Sequence, residues 1–123
     1  SGGQAGGTEA FLQAFFERNL KEALSLMTEF AANPDQTLPL LGLLGWNVRQ
    51  LVLLASDRAT GGRNAKLNPY LADRLKSWAS RWSLSELGSL QAWLSRLDYQ
   101  TKQTPLLPLA TWAEGVEQFC VVK

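Results

Sequence analysis

Leu38-Pro-Leu-Leu-Gly-Leu-Leu-Gly-Trp-Asn-Val-Arg-Gln-Leu-Val-Leu-Leu-Ala55 is a long apolar stretch near the middle of the chain. It approaches the length of a membrane span, yet Asn47, Arg49 and Gln50 stand in its middle, where each is costly in lipid. A helix that is apolar nearly all round and carries a few polar residues is better read as the central, buried helix of a soluble bundle. Asn47, Arg49 and Gln50 cannot all face one narrow stripe. Arg49 at least is expected to emerge at a helix–helix seam or a subunit contact.

Helix signals continue on both sides of this segment. Thr37 is placed to cap it, Pro39 suits its first turn, and it runs to about Arg58. Upstream, Thr8 can cap a first helix that carries Phe11, Leu12, Phe15 and Phe16, and Asn19 marks a break. Leu20, Ala23, Leu24, Met27 and Phe30 then repeat at helical intervals up to Asn33-Pro34-Asp35, where Pro34 disfavours helix. Downstream, Thr60-Gly61-Gly62-Arg63 reads as a loop. Asn68-Pro69 starts a fourth helix with Leu71, Leu75, Trp78, Ala79 and Trp82 inside. Ser83-Leu84-Ser85-Glu86 matches the capping box, and the helix it opens is expected to bury Leu84, Leu87, Leu90, Leu94, Leu97 and Thr101. Pro105 and Pro108 precede a last helix bearing Leu109, Trp112, Ala113, Val116, Phe119 and Cys120 on one face. No run alternates with period two, so the expected fold is an all-α, compact bundle of five to six helices with short turns.

The chain has 123 residues, room for one domain with a sizeable core. Ser1 to Gly7 reads as a flexible linker or a cloning scar, and residues 8–123 as the helical domain. No Met opens the chain, which reads as an excised C-terminal domain. The absence of His removes the commonest general base and metal ligand. The lone Cys120 can build neither an internal disulfide nor a Cys-type zinc site, which points to a reducing, cytoplasmic compartment. No phosphate-cradle motif is present. An enzyme is therefore the least supported class, and no catalytic residue, metal or cofactor is expected.

A net charge of +1 argues against whole-chain electrostatic binding to nucleic acid, but the charge is uneven. Residues 1–37 hold Glu9, Glu17, Glu22, Glu29 and Asp35 against Arg18 and Lys21, a net of −3. Residues 58–81 hold Arg58, Arg63, Lys66, Arg74, Lys76 and Arg81 against Asp73, a net of +5. Tyr70 lies in that basic region, where an exposed aromatic can stack on a base; the plainer reading packs it on the loop at a helix start. Gly42 and Gly45 are small residues three apart, which lets a neighbouring helix approach closely. Glu114 and Glu117 read as a solvated face. Asp98 and Lys102 have the spacing of a surface ion pair, or of a brace for a subunit contact. Of five tryptophans, Trp78, Trp82 and Trp112 fall on apolar faces, whereas Trp46 and Trp93 fit the stripes less well and suit a protein interface.

Several segments taken in order resemble one family. They are Leu40-Leu41-Gly42-Leu43-Leu44 with Val48-Arg49-Gln50-Leu51; Asn68-Pro69-Tyr70; Arg81-Trp82-Ser83-Leu84-Ser85-Glu86-Leu87; Leu97-Asp98 with Lys102; and Trp112-Ala113-Glu114 leading to Phe119-Cys120. Over about Phe15 to Val121 the chain is similar to the C-terminal domain of the delta subunit of the bacterial DNA polymerase III clamp loader. It departs from that pattern after Lys102, where a Gly-containing turn is usual and Gln103-Thr104-Pro105-Leu106-Leu107-Pro108 stands instead.

The resemblance implies a helical collar domain that joins equivalent domains of the other clamp-loader subunits. The assembly opens the sliding clamp and loads it at a primer–template junction. Contact with the clamp itself would run through an N-terminal region not included here. The family pattern carries over to Arg49, to the Ser83–Leu87 helix start, and to Asp98 and Lys102, and it transfers no catalytic residue. Trp46, Arg49, Trp93, Asp98 and Lys102 are thus the expected subunit contacts. The alternative is a helical nucleic-acid-binding module using residues 58–81, with Arg63, Lys66, Tyr70, Arg74 and Lys76 as DNA contacts.

Overall fold

Phe11, Leu12, Phe15 and Phe16 are spaced to one side of a helix, and α1 (Gly3–Phe16) buries all four. A computed structural model describes residues 3–31, 37–59, 69–103 and 109–120. The expected helix end at Asn33-Pro34-Asp35, the loop at Thr60–Arg63, the Asn68 cap, and Pro105 with Pro108 lie outside those residues. Helix α1 begins at Gly3, ahead of the expected Thr8 cap and inside the expected linker. Once the aromatic end is packed, extending the helix by a residue is far easier than nucleating it, even through glycines at about 1 kcal/mol each.

The break expected at Asn19 is two linked caps. Arg18 adopts φ +62°. The Asn19 amide donates to the Ala14 carbonyl and the Arg18 amide to the Phe15 carbonyl, the paired bonds of a Schellman ending. Asn19 then accepts the Glu22 amide on its side-chain oxygen at 3.2 Å and so caps α2 (Leu20–Ala31).

Helix α3 (Thr37–Ala59) contains the whole apolar stretch. Thr37 is its first helical residue rather than its cap: the hydroxyl is buried and makes no hydrogen bond among the described residues. Helix α4 (Pro69–Ala79) opens on Pro69, whose fixed φ suits a first helical position. Helix α5 (Leu84–Gln103) has the expected capping box, with Glu86 N to Ser83 Oγ and Ser83 N to Glu86 Oε1 both at 3.0 Å. It buries Leu87, Leu90, Leu94 and Leu97, but Leu84, the first residue of the helix, is exposed. Thr101 is half-buried, its hydroxyl donating to the Leu97 carbonyl. Helix α6 (Leu109–Phe119) buries Trp112, Val116 and Phe119, with Cys120 just beyond.

All six helices belong to one bundle, and no strand occurs among the described residues. Helix α1 packs on α2, α2 on α6, α6 on α5, α5 on α3 and α3 on α4. Trp78 and Trp82 then reach back to Phe16 of α1. Phe11, Phe15, Phe16, Trp82, Trp93, Trp112 and Phe119 form a continuous aromatic core, with ring centroids 5.3–6.1 Å apart. Such offset and edge-on pairs add to the burial of the rings themselves.

Candidate interaction surface

Helix α3 is not buried all round. Its inner face carries Leu40, Leu41, Leu44, Asn47, Val48 and Leu51. Asn47 is tolerated there because its amide donates to the Leu43 carbonyl one turn back, at 2.8 Å. The opposite side is more open to solvent. Leu43, Trp46 and Leu53 are 39%, 41% and 51% exposed. The sequence pattern foretold an apolar circumference, and the fold uses only part of it. The strip of these three exposed apolar side chains is the candidate interaction surface.

Beside that strip a groove of about 380 Å³ runs between α3 and α5, lined by Leu41, Gly42, Gly45, Arg49, Leu94, Ser95 and Asp98. Arg49 therefore emerges at a helix–helix seam, across from Asp98. Trp46 is one helical turn from both Gly42 and Arg49 and stands at the rim. Gly42 and Gly45 do not serve the close internal packing expected of them among the described residues: beyond their own helix turns, no described atom lies within 4 Å of where a Cβ would stand. A glycine in a helix interior destabilises by about 0.5–1 kcal/mol relative to alanine, and nothing among the described residues requires it here. The close approach falls at Gly115 instead, where a Cβ would overlap the Trp93 indole.

Trp93 itself corrects an expectation. It is only 2% exposed, stacked on Phe15 with its indole N–H donating to the Thr111 carbonyl at 2.9 Å. With its one polar group satisfied and Gly115 making room, the ring lies in the core and offers no surface to a partner. Asp98 and Lys102 form an exposed ion pair at 3.0 Å, of the i, i+4 type. In water such a pair is worth about 0.3–0.5 kcal/mol.

The basic region is divided. Arg63 and Lys66 lie outside the described residues, as does the Tyr70 side chain. Arg74 is engaged, paired with Glu9 at 3.0 Å and set over the Trp78 ring at 4.9 Å. Lys76 and Arg81 are exposed.

A residue that sequence reasoning passed over holds the opposite end of the bundle. Arg18 donates to the Phe119 carbonyl at 2.7 Å, the Arg81 carbonyl at 2.6 Å and Glu86 Oε2 at 2.9 Å, and lies 3.9 Å above the Trp82 ring. It thus ties the end of α1 to the α4–α5 turn, the start of α5 and the end of α6. Burial alone would raise the Glu86 carboxyl, but the Ser83 hydrogen bond and the Arg18 charge outweigh it and hold the group below its ordinary 4.5. Burial pushes the Cys120 thiol up to about 12, against a smaller opposing pull from Arg18. Its sulfur lies 3.6 Å from the Phe15 carbonyl. The only sequence hint of the clamp was an Arg directly before Asn19 at a helix break.

Among the described residues, no group of three or more His, Cys, Asp or Glu side chains could hold a metal ion. No helix there is long and apolar enough to cross a membrane. No family model, curated protein or solved structure matches the chain.

Proposed function

We propose that this chain is a scaffold: the oligomerisation (collar) domain of a clamp-loader delta subunit, helping to assemble the complex that loads the sliding clamp onto primed DNA in replication. The motif order from Leu40 to Cys120 supports the family reading. The observation that carries the scaffold role is the outer side of α3, where Leu43, Trp46 and Leu53 face solvent beside an open groove. A helix apolar on both sides, with one side buried and the other exposed among the described residues, suits contact with a second protein.

On this reading the domain acts in the cytoplasm, catalyses nothing itself, and meets the other clamp-loader subunits laterally. Ring contacts run head to tail between different faces of neighbouring domains. Primer–template DNA enters only in the full complex. The reading is tested by mixing the chain with the collar domains of the other clamp-loader subunits and following co-elution in size-exclusion chromatography. Co-elution that is lost in Trp46→Ala is expected; a chain that elutes alone at every mixing ratio sinks the reading.

A further inference from the structure

We infer that the groove between α3 and α5 docks one α-helix of a neighbouring subunit, with a carboxylate of that helix against Arg49 and small or apolar side chains over Gly42 and Gly45. This inference rests on the collar reading above and names the chemistry of the partner segment.

Charge comes first. Asp98 on the α5 wall is already held by Lys102 at 3.0 Å. Arg49 on the α3 wall has no acidic partner among the described residues. Of the two charged residues in the lining, Asp98 is paired and Arg49, among the described residues, is unpaired, so the complement of Arg49 is a carboxylate. A guanidinium binds a carboxylate through two parallel hydrogen bonds, which sets orientation as well as attraction.

The floor gives the shape. The missing Cβ atoms of Gly42 and Gly45 make no room for anything inside the chain, since nothing described lies within 4 Å of them. What they leave is bare helix backbone open to the outside, where another backbone can come close. Leu41 and Leu94 supply apolar walls, and the exposed Trp46 extends the contact at the rim. Gly42 to Arg49 covers about two helical turns, ~10 Å, the reach over which a docked helix sets anchors at i, i+4 and i+7.

The test uses the chain and the other collar domains, with association measured by titration calorimetry and folding by thermal melting. Gly45→Leu, which fills the groove, and Arg49→Glu, which reverses its charge, are each expected to weaken association ~10-fold or more. The double variant Gly42→Ala/Gly45→Ala is expected to melt at a higher temperature than the parent yet bind more weakly. A folding defect cannot produce those opposite signs. Gly88→Ala is the control: this exposed α5 glycine also has nothing within 4 Å but lies outside the groove lining, so it is expected to leave association unchanged. If Gly45→Leu and Arg49→Glu bind as tightly as the parent, the groove inference falls and the collar reading stands. If the parent chain binds no collar domain at all, both fall.

Discussion

Arg18 sits in the left-handed region at φ +62°, where a side chain costs about 1–2 kcal/mol that glycine avoids. Its bonds to two carbonyls and a carboxylate explain why arginine occupies that position. Arg18→Ala is expected to destabilise the fold by roughly 3–5 kcal/mol in urea unfolding, because it leaves a partly buried carboxylate and two carbonyls short of a donor. Arg18→Gly relieves the backbone and still loses the clamp, so it is expected to be only slightly less damaged than Arg18→Ala. If it matched the parent, the side chain would have no clamping role. Glu86 carries the pH dependence of the same cluster. Its folded pKa is lowered, so its contribution is complete above the ordinary 4.5 and is lost as pH falls through the lower, folded value. Glu86→Gln keeps a capping-box side chain but not the charge. It is expected to cost about 1 kcal/mol at pH 7, with the gap to the parent closing in acid. A gap that stays constant down to pH 2 would contradict the ion-pair account.

At the scale of the helix, local chemistry was legible where the partners are near in sequence. The Ser83–Glu86 box, the break at Asn19 and the start at Pro69 each depend on residues within about a turn of one another, and each forms. Face assignments were legible for the stripe of Leu87, Leu90, Leu94 and Leu97 on α5 and for Trp112, Val116 and Phe119 on α6, but not for Leu84, which is exposed, or Trp93, which is buried. They were not legible for α3, because a helix with apolar residues all round contains no record of which side its own chain will cover. Nor could spacing rank the glycines. Gly42 and Gly45 have the pattern of a packing motif and face open space, while the unremarked Gly115 receives the Trp93 ring. Gly115→Ala is therefore expected to destabilise by at least about 2 kcal/mol in thermal or urea unfolding, since the nearest atoms belong to a rigid indole locked in the core. Unchanged stability there would mean that α6 can shift away from α5 at little cost.

For the whole molecule, Cys120 reports on opening. Its thiol is buried, is pushed up to about 12, and follows Phe119, whose carbonyl Arg18 holds. At neutral pH it is expected to resist alkylation in the folded chain and to react fully in denaturant, with labelling faster in Arg18→Ala than in the parent. Equal labelling rates with and without denaturant would refute a closed α6 end. The amino-acid sequence by itself determined the helical class, the break at Asn19, the capping box at Ser83 and most of the core, because helical periodicity and caps are short-range properties of the chain. It also carried the family resemblance on which the collar reading depends. Only the tertiary structure decided that Trp93 lies inside while Trp46 and Leu53 lie outside, that Arg49 and Asp98 face one groove, and that Arg18 joins segments as far apart as α1 and α6. Those outcomes turn on which helices become neighbours. That is set by the summed packing of the aromatic core, and no single stretch of sequence contains it.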